Sequence, residues 1–111
     1  MAKTTRRNRP VRIGRIPKKL NVGDVSTAHI TLSDSKKLNA GAVPRQIGSF
    51  EYGYVVLTHP ESDAVAASQI RGAGMSTAYL KLLETAYAQG FYYLMIDQDA
   101  ETVDGLETFK W

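Results

Sequence analysis

The sequence predicts an α+β domain: a four- or five-stranded mixed or antiparallel sheet, covered on one face by one main helix over residues 76–89, with an extended basic arm at its N-terminus. Three observations lead there. Ser76 to Gln89 repeats apolar residues at helical spacing, Phe91 to Ile96 is an unbroken apolar run, and residues 1–20 carry eight cations and no acid. A chain of 111 residues is enough for one core. Its 43% apolar and 23% charged residues are those of a globular protein rather than a disordered one.

Residues 1–21 form the arm and 22–111 the single globular domain. Lys3, Arg6, Arg7, Arg9, Arg12, Arg15, Lys18 and Lys19 are eight of the fourteen basic residues. Residues 21–111 carry six basic and eleven acidic residues, a net −5 against the arm's +8. A block of like charge repels itself and gains order by finding the opposite charge. In Val11-Arg12-Ile13-Gly14-Arg15 the alternation also suits an edge strand.

Val25 to Leu32 is read as strand one, with Ser26, Ala28, Ile30 and Leu32 on one face. Ser33 or Asp34 caps a short helical turn over residues 36–39. Residues 46–50 and 51–58 are strands in which Gly48 and Gly53 mark bends or bulges. The second is apolar on both sides and so belongs near the centre of the sheet. Asp63 to Ile70 is a short alanine-rich helix. Ser76 or Thr77 caps the main helix, whose stripe is Tyr79, Leu82, Leu83, Ala86 and Tyr87, and Gly90 ends it in a left-handed conformation. Phe91 to Ile96 is a buried strand closed by Asp97-Gln98-Asp99. After the Asp104-Gly105 turn, Leu106, Phe109 and Trp111 pack the tail back on the sheet.

No apolar run approaches the roughly 20 residues that span a bilayer, and the basic start lacks the apolar core of a secretory signal. With no cysteine, disulfides and thiolate metal sites are excluded. A cytoplasmic protein without membrane contact, cofactor or bound metal is expected.

Ser26-Thr27-Ala28-His29-Ile30, Glu51-Tyr52-Gly53, and Asp97-x-Asp99 followed by Asp104-Gly105-Leu106-x-Thr108-Phe109-x-Trp111 together resemble an uncharacterised family of roughly 100-residue proteins. The resemblance covers residues 24–111 and excludes the arm. It implies a genomic setting on plasmids, phages and genomic islands, among toxin–antitoxin and antirestriction genes, rather than a chemistry. Gln98 and Ala100 stand where the family tends to carry Arg and Gly, and Glu107 where it tends to carry Pro.

Four residues in these stretches are candidate site residues: His29, Asp97, Asp99 and Asp104. Strand alternation puts His29 on the face opposite Ala28 and Ile30, open to solvent. There it would be a general base or ligand near Asp97 and Asp99, or a structural histidine whose ring pins the last loop, which is the preferred reading. Two carboxylates at i, i+2 after a buried strand can hold one hard cation if further oxygens such as Glu101 and Asp104 join them; turn chemistry is the simpler account. Arg71 to Thr77 opens a helix through a glycine-bearing loop without the P-loop lysine. Its anion-binding capacity is set against a plain cap. Tyr52, Tyr54, Tyr79, Tyr87, Tyr92 and Tyr93 are core and interface residues before they are base-stacking platforms.

Three functions are compatible with these features. The leading one is a non-enzymatic accessory protein of a mobile element whose arm binds nucleic acid or a host nucleoprotein complex, interfering with restriction or a CRISPR complex in its most specific form. The second is a phage assembly protein whose arm contacts the acidic surface of a neighbouring subunit, with homo-oligomers expected. The third is a metal-dependent enzyme acting on phosphates through Asp97 and Asp99.

Overall fold

The computed structural model describes residues 21–111, and the expectations for the arm lie outside these residues. Four strands, β1 (Val22–Ser26), β2 (Gln46–Phe50), β3 (Gly53–Leu57) and β4 (Tyr93–Asp97), form one sheet in the order β1-β4-β3-β2. The β1–β4 pair is parallel; β4–β3 and β3–β2 are antiparallel. Three helices, α1 (Leu32–Asn39), α2 (Ala64–Gly72) and α3 (Thr77–Ala88), complete an α+β domain. No described helix is long and apolar enough to cross a membrane.

The two strands that are apolar on both sides, β3 and β4, are the inner pair. Each alternates half-buried and buried residues. Tyr54, Val56, Leu94 and Ile96 therefore share one face with Val25 of β1, in a single core with Leu38 of α1, Ile70 of α2 and Leu80, Leu82 and Leu83 of α3. The main helix supplies most of this layer, but all three helices contribute. Asp24, Val55, Leu57, Tyr93 and Met95 face the other way and stay exposed or half-buried.

Asp24 is less acidic than an ordinary carboxyl, first through burial and then through the nearby Asp97 charge. A folded-state pKa above the unfolded 3.8 penalises the ionised form. That stability is present below the unfolded pKa and is lost as pH rises through the folded one. Asp24→Asn should therefore raise the melting temperature slightly at pH 7, with the gain vanishing below about pH 4. An unchanged or lower melting temperature at pH 7 would contradict this.

Local chemistry sets the element ends. The β2–β3 pairing is irregular between Gln46 and Gly48, where a glycine bulge was expected. At Gly53 a Cβ would lie 2.1 Å from the Ile96 carbonyl oxygen, so the hairpin closes against β4 only with glycine there. In α3 the Ser76 hydroxyl accepts from the Tyr79 amide at 3.1 Å, and Gly90 takes φ +92 just beyond the helix.

Strand one is shorter than expected and shifted. It ends at Ser26, whose hydroxyl accepts from the Ala28 amide and starts a 3-10 turn over Thr27–His29. Thr31, rather than Ser33 or Asp34, then caps α1. Its hydroxyl accepts from the Asp34 amide at 3.0 Å while the Asp34 carboxylate accepts from the Thr31 amide at 3.1 Å. This reciprocal capping box pulls Leu32 into a helix.

Candidate functional site

Because the strand ends at Ser26, His29 does not emerge on an exposed face. It is 1% exposed and makes two bonds to the tail. The Val103 amide donates to Nε2 at 2.8 Å, so the ring hydrogen belongs on Nδ1, which donates to the Glu107 carbonyl at 2.8 Å. Asp104, with Gly105 at φ +89, occupies the turn between these anchors. The imidazole pins the last loop, and both of its nitrogens are engaged in doing so. His29→Ala should lower stability by about 2–3 kcal/mol, because a buried imidazole is lost and the part-buried Val103 amide and Glu107 carbonyl lose their partner together. It should also open residues 102–111 to proteolysis; an unchanged melting temperature with an intact tail would contradict this role.

Asp97 and Asp99 are drawn into a turn rather than opposed across a cation. The Asp99 amide donates to Asp97 Oδ1 at 2.9 Å, and the Gln98 amide donates to the Tyr52 carbonyl at 2.9 Å. Among the described residues, no group of three or more His, Asp or Glu side chains is arranged to hold a metal ion.

The start of α3 is likewise engaged from within. Ser76 donates its amide to Asp34 Oδ1 at 2.9 Å and its hydroxyl to Asp34 Oδ2 at 2.5 Å. The anion at this helix end is thus a carboxylate of the protein itself, satisfying the donors that a phosphate would use. Asp34 and burial together keep the neighbouring Tyr79 phenol protonated, burial being the larger cause.

The tail does not lie across the sheet as expected. Leu106 packs on the core, the Phe109 amide donates to the Ala28 carbonyl at 2.7 Å, and the Trp111 indole N–H donates to the Ile30 carbonyl at 2.9 Å. These bonds seat the tail on the 3-10 turn, beyond the carboxyl end of β1. One wall of a groove of about 680 Å³ is built this way. Ser26-Thr27-Ala28 and Phe109-Lys110-Trp111 line one side, the Phe50–Tyr54 hairpin lines another, and Ser35, Asn39 and Gln98 complete the lining. At the floor Tyr54 Oη donates to Asn39 Oδ1 at 2.8 Å, so the Ser35 hydroxyl, also at 2.8 Å, donates to Tyr54.

Three stretches far apart in sequence, Ser26–Ala28, Glu51–Gly53 and Phe109–Trp111, therefore meet around one opening. The model described as "Family of unknown function (DUF5983) C-terminal domain" matches residues 22–111, the whole of the globular domain. The chain belongs to this family. No curated protein and no solved structure matches it. The stretches by which the sequence resembles an uncharacterised family all fall within the DUF5983 match, and parts of them, Ser26–Ala28, Glu51–Gly53 and Phe109–Trp111, line the groove. Of the four candidate residues, none lines it: His29 holds its wall from behind, Asp97 and Asp99 border a smaller cavity with Met95 beside the hairpin, and Asp104 lies in the tail turn. Sequence reasoning missed the groove and the Tyr54–Ser35–Asn39 floor. The available signal was that each resembling stretch falls just after a strand or in a turn.

Proposed function

We propose that the protein is a non-enzymatic accessory protein that binds nucleic acid, or a host nucleoprotein complex, through the cations of residues 1–20. The observation that carries this reading is charge segregation: +8 in twenty residues, followed by a domain of net −5. Lys and Arg that neutralise phosphates release condensed counterions, the main sequence-independent source of affinity for nucleic acid. The acidic domain repels the phosphate backbone and leaves its neutralisation to the arm, with neutral surface free to add contacts. Such a surface exists where the arm joins the domain. Asn21 is held against the start of β4, its side-chain amide donating to the Gly90 carbonyl at 3.1 Å and its carbonyl accepting from the Tyr92 amide at 3.1 Å. Tyr87 and Tyr92 are both exposed there, with ring centroids 5.7 Å apart.

Inhibition of a host defence complex on behalf of a mobile element is the narrower form of this reading, supported by the family resemblance. An assembly role is favoured by a different observation. The sheet face bearing Val22, Asp24 and Met95 combines apolar and acidic groups that a basic arm from a second copy would complement. The enzymatic reading loses ground because Asp97 and Asp99 form a turn.

Fluorescence anisotropy of labelled duplex DNA and duplex RNA with the full-length protein at 50 mM salt tests the proposal. Saturable binding that weakens sharply by 200 mM is expected. No binding at 50 mM, with self-association or capture of one protein partner insensitive to nuclease, would replace it with the assembly reading.

A further inference from the structure

We propose that the groove beyond the carboxyl end of β1 receives an unpaired nucleobase stacked on the Trp111 indole, so that the preferred nucleic acid is single-stranded or locally unpaired. This inference rests on the reading of the arm as a nucleic-acid anchor and names what the domain itself would recognise.

Trp111 combines exposure with a fixed position. It is 55% exposed, yet its indole N–H is fixed to the Ile30 carbonyl at 2.9 Å, and the Phe109 amide bond to Ala28 holds the chain two residues earlier. An aromatic ring held in place with an open face is a preorganised stacking platform. Across the opening, Phe50 and Tyr52 are 61% and 51% exposed at the tip of the β2–β3 hairpin. That tip is anchored separately: the Gln98 amide donates to the Tyr52 carbonyl, and Gly53 lets the turn close on β4.

The lining between these aromatics is neutral and polar. Thr27, Asn39 and Gln98 offer the hydroxyl and amide chemistry that reads base edges, and Glu51 can accept from an exocyclic amine. Lys110 is the one cation in the lining, too few for a site built around phosphate. Bases go in and the backbone stays outside, where the arm's cations meet it. The arm starts at the opposite end of β1, a five-residue strand of about 17 Å. Twenty residues of extended chain reach about 66 Å, so one strand can engage both.

Trp111 is the chain's single tryptophan, so its emission reports the contact directly. Full-length protein is titrated with a thymidine 12-mer, with a blunt duplex and with a neutral oligosaccharide, following tryptophan emission and anisotropy together. Saturable quenching by the 12-mer is expected, with duplex binding that leaves the emission unchanged. Trp111→Ala and Tyr52→Ala should each weaken 12-mer affinity about tenfold while leaving duplex affinity as it was; Tyr52→Ala keeps the reporter and the tail anchor. Replacing Arg6, Arg7, Arg9, Arg12 and Arg15 by Gln should weaken duplex binding about a hundredfold or more and leave quenching at high 12-mer concentration. Duplex and 12-mer binding with silent Trp111 emission and unaffected variants would overturn the groove assignment alone. Quenching by the oligosaccharide instead of the 12-mer would also overturn it. Absence of any oligonucleotide binding would overturn both it and the arm reading.

Discussion

Asp34→Ala is expected to lower the melting temperature by about 15 °C or more. Asp34 is 1% exposed and joins the start of α1 to that of α3 through Ser76, 42 residues further along the chain. Its carboxylate accepts from the Thr31 amide in the α1 capping box and from both the amide and the hydroxyl of Ser76 at the start of α3. Alanine leaves three donors without a partner. A buried unsatisfied group costs about 1–3 kcal/mol and a lost cap about 1 kcal/mol. These losses share atoms and do not add fully, so about 3–4 kcal/mol is expected. At this chain length 1 kcal/mol moves the melting temperature by about 4–8 °C. Asp34→Asn should recover part of the loss, because one oxygen can still accept from Ser76 while the amide group opposes another donor. A shift under about 5 °C for the alanine variant, measured by calorimetry, would show that the two helix starts are held by something else.

Replacing Arg6, Arg7, Arg9, Arg12 and Arg15 with Gln should weaken duplex binding by a hundredfold or more at 100 mM salt, with no change in melting temperature. Five of the eight cations go, leaving Lys3, Lys18 and Lys19. A phosphate that no longer meets a cation keeps its condensed counterion, and the affinity its release would have supplied disappears. The domain, at net −5, has no comparable surface to compensate. Anisotropy and a thermal melt on the same preparations separate the effect on binding from one on folding. Affinity within threefold of the parent would locate binding elsewhere on the protein.

The parts of the fold that were legible in the sequence are those whose signal is local. The helix α3 announces itself through the Leu82-Leu83-Ala86 stripe, the Ser76 cap and Gly90, and β4 through six consecutive apolar residues. Gly48 and Gly53 located the β2 bulge and the hairpin. The stretch from Ser26 to Asp34 misled, because a run of small and β-branched residues alternates like a strand. Two side-chain bonds outweigh that pattern: the Ser26 hydroxyl to the Ala28 amide, and the Thr31–Asp34 capping box. Thr31-Leu32-Ser33-Asp34 has the spacing of such a box and was readable as one.

The candidate site was less legible, for a physical reason. Its groove is closed by bonds such as that from Trp111 to Ile30, 81 residues apart, which no window of sequence displays. For His29 the sequence favours a structural role, but only the positions of Val103 and Glu107 show which bonds make its ring an anchor. Asp97 and Asp99 have the spacing of a turn and of a cation pair, the turn being the simpler account, and the Asp99 amide bond to Asp97 makes it a turn.

Whether the arm anchors nucleic acid is tested most directly by the salt dependence of binding. Full-length protein titrated onto duplex DNA between 50 and 200 mM salt should give a log–log slope of about −5 to −7, as expected when most of eight cations displace counterions. The five-Arg variant should fall to about −3 or less in magnitude. A slope near zero in the full-length protein, or the same slope in both proteins, would contradict an anchoring role and assign the arm's charge to a protein surface instead.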